Sequence, residues 1–513
     1  MPARPDNRTL LPLPAGPARR RIALTHTHPS SALPPDAAHV DAVVIGAGAA
    51  GLFCAAQASA RGATVLLIDH ASAVAEKVRI SGGGRANFTN QWLDVRAPHK
   101  HFVGDNPAFC RSALSRFTPQ DFIALVDAHG IAHHEKHKGQ LFCDHSAQDL
   151  IDMLLALCGR GPGQVSRWQP CRVTAVQALN ASRTETSSST SIPPSSSSSE
   201  RETADTGIHP ARYRVTTERG SVLATSVVVA TGGLSIPKIG ASDFGLRLAQ
   251  QFGLRVLPTR PGLVPLTFDA QDWAPFVPLA GVALPVRIST VPAPASDAAP
   301  ATNPAASAQA GTRPGKAGQD GKGAAAKRAG PVSFDEDLLF THRGLSGPAV
   351  LQISSYWQPG TPLTLNLLPE VDLADELLRA KASSRKRVAN ELARWLPARL
   401  ADAWCARDPV WQRAIDQVPD KALQQLAASL QRWQLTPSGT EGYRKAEVTL
   451  GGVDTRELSQ QTLEAKSRPG LFFIGEVVDI TGWLGGYNFQ WAWASAHACA
   501  QALPLAGDVP AQG

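Results

Sequence analysis

The sequence predicts an α/β protein: a Rossmann-like dinucleotide-binding domain with a β-meander, interrupted by an inserted cap of small β-barrel-like and helical parts. Three observations predict it. The apolar run Asp41-Ala-Val-Val-Ile45 leads directly into Gly46-Ala47-Gly48-Ala49-Ala50-Gly51 and a small-residue stretch reaching about Arg61, the strand, turn and helix order that gives a G-x-G-x-x-G its meaning. Partly alternating β-rich runs at 171–179, 213–217 and 221–230, the last two split by the turn signal Arg219-Gly220, read as a three-stranded antiparallel meander. Near the end, Leu471-Phe-Phe-Ile474, a Gly-rich loop and a helix from about 488 to 503 bring the chain back to the first unit.

Each part of the first motif has a physical task. Gly46 permits the tight turn, Gly48 lets the backbone approach a pyrophosphate, and Gly51 lets helix and strand pack closely. The helix N-terminus adds unpaired N–H donors and the positive end of a dipole. The next strand, 63–68, ends at Asp69, 23 positions after Gly46, where a carboxylate accepts from ribose hydroxyls and disfavours a 2′-phosphate. The chain then runs through Ser81-Gly82-Gly83-Gly84-Arg85-Ala86-Asn87. Three glycines allow close approach to a flat or anionic group and Arg85 offers a guanidinium; the competing reading is a solvent loop. The meander ends in Val227-Val-Val-Ala-Thr231-Gly232-Gly233, an apolar strand breaking at glycines.

Between these units the pattern changes. Runs at 263–268 and 282–286 read as short strands. From about 371 to 435 the periodicity is helical, with Val388, Leu392, Trp395, Leu396 and Leu400 on one face and Pro397 expected to break it. The resulting map has an extension at 1–40, a dinucleotide-binding domain in two parts at 41–257 and 446–503, a cap at 258–445 and a tail at 504–513. Low-complexity insertions at about 181–210 and 291–331 lack the large apolar side chains that offset ordering entropy.

Composition excludes several classes. With 513 residues and 43% apolar content the chain builds sizeable cores. Its net charge of +7 comes from dispersed basic residues, which argues against a nucleic-acid partner. Seven scattered cysteines without a C-x-x-C remove the disulfide-reductase and zinc readings and predict a reducing cytoplasm. No apolar run reaches the ~18 residues that span a bilayer. His129, His133, His134 and His137 lack carboxylates at ligand spacing, so a solvated helix end or loop is expected there and no metal. Trp483, Trp491 and Trp493 read first as core, and Cys54 and Cys499 as inert buried thiols.

The first motif, the Ala-Thr-Gly-Gly strand end and Gly475-Glu476 together resemble the two-dinucleotide-binding-domain flavoproteins. More narrowly, the segments at 80–90 (ISGGGRANFTN), 339–349 (LFTHRGLSGPA) and 475–490 (GEVVDITGWLGGYNFQ) resemble the BaiN-like, aminoacetone-oxidase-like bacterial NAD(P)/FAD-dependent oxidoreductases. The resemblance implies FAD held by Gly46, Gly48 and Gly51 at the pyrophosphate and by Asp69 at the adenosine ribose. It adds the Gly83, Gly84 and Arg85 loop, the meander backbone near Val173, and the Thr231-Gly232 turn. It implies that Glu476, after Gly475, contacts the ribityl chain, and that Gly485, Gly486, Tyr487 and Asn488 present backbone N–H groups to the flavin's pyrimidine edge. The family commonly has Cys where this chain has Ala86, and often Glu where it has Asp69.

In the cap, His342 and Arg343 are the candidate catalytic pair, since His exchanges a proton near neutral pH and Arg polarises a carbonyl. The alternative is that His342 hydrogen-bonds a tight turn and Arg343 touches a phosphate or solvent. No second G-x-G-x-x-G follows a strand, so NAD(P)H, if used, docks transiently. The reading is an FAD-dependent oxidoreductase moving a hydride between flavin and a small or hydrophobic metabolite, with NAD(P)H or O₂ as redox partner. The alternative reading is a flavoprotein of RNA modification. The oligomeric state is not legible.

Overall fold

Four apolar segments lie side by side at the centre of the first unit. A computed structural model describes residues 39–179, 210–290 and 331–505. Residues 1–38, 506–513 and most of the two insertions lie outside the described residues. Strand β1 (His39–Ile45) opens two residues before the expected start and is followed by α1 (Ala49–Ala60) and β2 (Thr64–Ile68). Next come β3 (Asn87–Asn90), β4 (His133–His137), β5 (Gln140–Cys143) and α2 (Ala147–Cys158). Strand β6 (Gln164–Trp168) precedes the meander, β7 (Val173–Ala178), β8 (Tyr213–Thr217) and β9 (Gly220–Val229).

The main sheet runs β6-β2-β1-β9-β8-β7. Strands β6, β2, β1 and β9 are parallel, and β9, β8 and β7 are antiparallel. Parallel strands covered on both faces need continuous apolar sequence rather than alternation, and β2 and the second half of β9 are buried along their whole length apart from Thr64. Strands β3, β5 and β4 form a separate three-stranded sheet. The four histidines follow from this: three of them lie on β4, an exposed strand rather than a helix end or loop.

After β10 (Val256–Gly262) come β11 (Leu266–Thr267), β12 (Ala283–Thr290), β13 (Val332–Phe340), β14 (Gly344–Ser346) and β15 (Leu363–Asn366). Helices α3 (Leu373–Ser383), α4 (Val388–Leu392), α5 (Ala398–Cys405) and α6 (Asp420–Gln431) follow. The expected helical face at 388–400 is thus two helices with a break ending at Pro397, which has no N–H to continue a helix. Strands β16 (Trp433–Leu435) and β17 (Gly439–Thr440) complete an antiparallel sheet in the order β16-β15-β12-β13-β14-β11-β17. The chain returns through β18 (Val448–Val453), which pairs with β10, then β19 (Leu471–Phe473), which adds in parallel to β9, and α7 (Tyr487–Ala502).

Two hydrophobic clusters result, one around β1, α1, β9 and α7, the other between the antiparallel sheet and α3–α6. Trp491 and Trp493 are buried in the first, as are Cys54 and Cys499. Half-buried Trp483 packs against both clusters. Among the described residues no helix is long and apolar enough to cross a membrane, and no group of three or more His, Cys, Asp or Glu could hold a metal ion.

The second cluster is centred on Trp404, fully buried with its indole N–H donating to Ser429 Oγ at 2.9 Å. Trp404→Ala should cost about 3–5 kcal/mol through the cavity it leaves, read as a lowered denaturant midpoint. Flavin absorbance should persist at low denaturant, because the dinucleotide motif belongs to the other cluster.

Candidate functional site

The ends of β1, β2 and β9 meet at the glycine turn, and the three motif glycines do different work there. A β-carbon on Gly46, which sits at φ +110°, would stand 2.4 Å from the Ala230 carbonyl oxygen, and one on Gly51 would stand 1.8 Å from that of Gly46. Both positions are closed to any side chain. Gly48 is the opposite case, with nothing within 4 Å of its would-be β-carbon, so the space it leaves faces outward from the first turn of α1. Asp69 Oδ2 accepts from the Ala47 amide at 2.6 Å and Oδ1 from the Ala71 amide at 2.8 Å. The carboxylate therefore braces the glycine turn through Oδ2 and its own following turn through Oδ1, where His70 Nδ1 also lies at 3.6 Å, and each oxygen keeps accepting capacity for a ribose. The Cys171 amide donates to the Asp69 carbonyl at 2.7 Å, which sets the start of β7, and with it Val173, beside this turn.

Across the strand ends, Gly232 at φ +72° also has open space where a side chain would be, as does Gly83 at φ +68°. Thr231 Oγ1 and Asn87 Oδ1 are buried with no hydrogen-bond partner. Open glycine backbone at 48, 83 and 232, a helix N-terminus and unpaired buried polar atoms beside it fit an anionic dinucleotide with a flat polar ring.

The second glycine pair has a packing task. β-Carbons on Gly485 and Gly486 would meet the Gln140 side chain at 2.7 Å and the Thr89 carbonyl oxygen at 2.3 Å, so these glycines bring the N-terminus of α7 against β3 and β5. Asn90 Nδ2 donates to the Gly485 carbonyl at 2.9 Å. Of the following residues, Asn488 spends its side chain bridging both polar groups of Gly482. Tyr487 is buried and stacked on His101 at 4.9 Å, and burial pushes its hydroxyl up to about 12. Both side chains are thus spent on contacts within the protein.

Glu476 is engaged more heavily than the resemblance implies. Its carboxylate takes Lys77 Nζ at 2.5 Å and the Thr449 amide at 2.8 Å, with Ser235 Oγ also in range. It ties the 76–80 helix, the loop after β9 and the start of β18 together. Sequence reading missed Lys77, Ser235, Thr449 and Glu447. A signal was present: Thr449-Leu-Gly-Gly452 is one more apolar strand that breaks at glycines. Glu447 is accessible to solvent, yet surrounding protein desolvates its carboxyl and pushes its pKa up, with Lys77 pulling weakly the other way. This carboxyl makes no hydrogen bond to a described residue, while the backbone carbonyl of Glu447 accepts from Ser235 Oγ at 3.1 Å, beside the Lys77–Glu476 pair.

His342 and Arg343 occupy an exposed turn between β13 and β14. The Thr341 hydroxyl organises it, accepting from the amides of Arg343 and Gly344, and Arg343 Nη1 reaches Glu441 Oε2 at 3.3 Å. Of the histidine group, His134 meets Asp144 at 2.6 Å and His137 meets Glu336 at 3.3 Å, which are pairwise contacts.

The chain belongs to the HI0933-like protein Rossmann domain family, which it matches over residues 40–197 and 176–502, and it is an FAD-binding enzyme of that flavoprotein class. It is 44% identical over 475 residues to the ribosomal RNA dihydrouridine synthase of Escherichia coli K12, covering 90% of this chain and 98% of that protein. Its identity to the enzyme of the same name from Haemophilus influenzae is 39%, with the same coverages. The 3-dehydro-bile acid delta(4,6)-reductase of Clostridium scindens is 24% identical over 476 residues, so the narrower BaiN-like resemblance rests on a distant relative.

These relatives correct two expectations. A small or hydrophobic metabolite as substrate, and the argument against a nucleic-acid partner, are both overturned by two end-to-end relatives named for ribosomal RNA. The physical reason is that basic residues dispersed along a sequence can still be gathered in space, and an enzyme that modifies one base needs a local contact rather than a basic stripe.

The glycine geometry separates two substitutions. Gly48→Val should leave the unfolding midpoint of the flavin-free protein near wild type but abolish flavin retention, since its side chain enters only the space a pyrophosphate needs. Gly51→Val should fail to fold, because a backbone oxygen already occupies that place. Retained yellow colour in Gly48→Val would refute the assignment.

Proposed function

We propose that this chain is an FAD-dependent RNA-modifying reductase that saturates the C5=C6 bond of a uridine in ribosomal RNA, working in the cytoplasm. The observation that carries the reading is the 44% identity to an rRNA dihydrouridine synthase along 98% of that protein's length. FAD bound at this site and reduced there would supply the hydride that C6 of the uracil takes up. NAD(P)H is assigned as the transient donor that reduces it, since no second nucleotide-binding motif accompanies the first.

The chain's own groups supply the rest. Gly46, Gly48, Gly51, Asp69, Val173, Thr231 and Gly232 hold the dinucleotide, and Gly83, Gly84 and Arg85 close on the ring. The backbone N–H groups at 485–488 would serve the pyrimidine edge of a bound flavin, where a helix N-terminus stabilises negative charge. Gly475 and Glu476, with Lys77, fix the loops beside it. Saturation also needs a proton at C5, and Glu447 is assigned as its donor: it lies next to the Lys77–Glu476 pair through Ser235, and a desolvated carboxyl stays protonated at higher pH than an ordinary one. His342 and Arg343 act from the cap, polarising the uracil carbonyl and excluding water as the cap covers the base.

The direct test incubates unmodified ribosomal RNA with the protein and NADPH or NADH, and reads a gain of two hydrogens at uridine by mass spectrometry. Absence of product with both donors and a flavin that bleaches would sink the reading. Glu447→Gln should lower the rate roughly 10²- to 10⁴-fold with flavin retained. The wild-type rate should fall as pH rises through the raised pKa of Glu447, because the acid form is the active one, and that limb should vanish in the variant. His342→Ala and Arg343→Ala should slow RNA reduction while leaving flavin reduction by the nicotinamide donor little changed. Equal losses in both half-reactions with weakened flavin retention would instead place the pair in the flavin site.

A further inference from the structure

Among the described residues, three large apolar side chains are exposed: Ile80 at 43%, Trp92 at 58% and Val277 at 38%. Two of the three flank the same short segment, Ile80 just before the Gly82–Gly84 turn and Trp92 two residues after β3. Solvated tryptophan at this exposure is uncommon, and exposed aromatics rimmed by polar groups mark interaction sites.

The Trp92 loop is held rather than loose. The Trp92 amide donates to Asn90 Oδ1 at 2.9 Å, and Asn90 Nδ2 in turn donates to the carbonyls of Gly485 and Lys138. A β-carbon on Gly139 would stand 2.6 Å from Trp92 Cγ, so one side of the ring abuts the β4–β5 turn and the rest faces solvent. The same hydrogen bonds fasten this loop to the start of α7, where the flavin's pyrimidine edge is assigned.

Charge accompanies the aromatic surface. Lys136 Nζ lies 5.3 Å over the Phe142 ring, and Phe142 also packs against Gly82, so this ammonium stands beside the glycine turn. Lys136, Arg85 and Arg96 are exposed and have no ion-pair partner among the described residues. Of the acids nearby, Asp144 is paired with His134, Glu336 with Lys138 and His137, and Asp94 with Lys100; Glu135 has no cationic partner among the described residues and spends its carboxylate on the Gln91 side chain and the Gly139 amide. An exposed indole braced on the β4–β5 turn, with unpaired cations at Lys136 on β4 and at Arg96 four residues further along its own loop, suits a polyanion with accessible π-faces. A base paired inside a helix presents no such face, whereas an unstacked loop does.

We propose that Trp92, with Ile80, Lys136 and Arg96, forms a stacking platform for single-stranded ribosomal RNA, gripping a nucleotide next to the uridine being reduced. The assignment rests on the RNA reading of the previous subsection and adds to it the part of the RNA that is held and the side chain that holds it. No chemistry occurs at this surface. Its work is to keep the strand open and the target base in register with the dinucleotide site.

The test uses the flavin-loaded, oxidised protein and fluorescence anisotropy with two probes, a fluorescent ribosomal RNA stem–loop and the same strand annealed to its full complement. Trp92→Ala should weaken stem–loop binding roughly 5- to 150-fold, the range for loss of one stacked base, and leave duplex binding and flavin content unchanged. Trp92→Phe should restore most of the affinity. Lys136→Ala and Arg96→Ala should each reduce the slope of log affinity against log salt by about 0.7, one phosphate contact on a single strand. Wild-type stem–loop affinity in Trp92→Ala would overturn the platform while leaving the enzyme's RNA activity intact. A wild-type protein that binds neither probe nor reduces RNA would remove the RNA reading itself. Loss of self-association in Trp92→Ala by sedimentation, with RNA binding unchanged, would make the patch a contact between copies of the chain and overturn the proposal as well.

Discussion

Backbone standing where side chains would otherwise be is the constraint on which the rest of this molecule depends. At the crossing of β1, α1 and β9, the carbonyl oxygens of Ala230 and Gly46 occupy the places of two β-carbons. This draws the N-terminus of α1 onto the strand ends and fixes where its free N–H groups point. The same device recurs where Gly485 and Gly486 seat α7 against β3 and β5. Two helix N-termini are thereby aimed with little dependence on side-chain rotamers, which suits a site that must present donors to a phosphate at one place and a ring edge at another.

Charged groups then lock the loops between these helices. Lys77 and Glu476 join segments separated by 399 residues, and the ends of β9 and β18 are held through Ser235 and Thr449. The cap is docked by polar contacts of the same kind: Trp483 Nε1 donates to Tyr356 Oη at 2.6 Å, the Leu484 amide to Gln352 Oε1 at 3.0 Å, and Lys138 Nζ to Glu336 Oε1 at 2.6 Å. The last of these runs from the β4–β5 turn to cap strand β13. The hairpin that buttresses Trp92 is therefore also tied to β13.

How much of this was legible in the sequence depends on how local each feature is. The phosphate turn was readable because Gly46, Gly48, Gly51 and Asp69 lie within one strand–helix–strand unit, and the meander because its strands alternate and pair with neighbours. The break at Pro397 follows from its missing donor. Positions 485 and 486 were identified through resemblance, but their packing role against Gln140 and Thr89 is a contact between distant parts of the chain. The strand that breaks at Gly451 and Gly452 marked the segment of Glu447 and Thr449, but the partners of these residues and of Lys77 come from distant parts of the chain. The nucleic-acid expectation failed for the same reason. Net charge sums over the chain and does not report which cations are left unpaired at a surface, and Lys136 is set over Phe142 only by the pairing of β4 with β5.

Both internal segments outside the described residues leave and re-enter at hairpin closures: Ala178 pairs with Tyr213, and Thr290 with Val332. Each pair belongs to an antiparallel ladder whose register is set by the strands themselves, and the closure cost of a connecting chain rises only logarithmically with its length. These two places are therefore natural splice points. A fluorophore-bearing peptide or an affinity handle inserted at either would ride on the scaffold without shifting a strand, one reporting from the edge of the dinucleotide-binding sheet and the other from the cap.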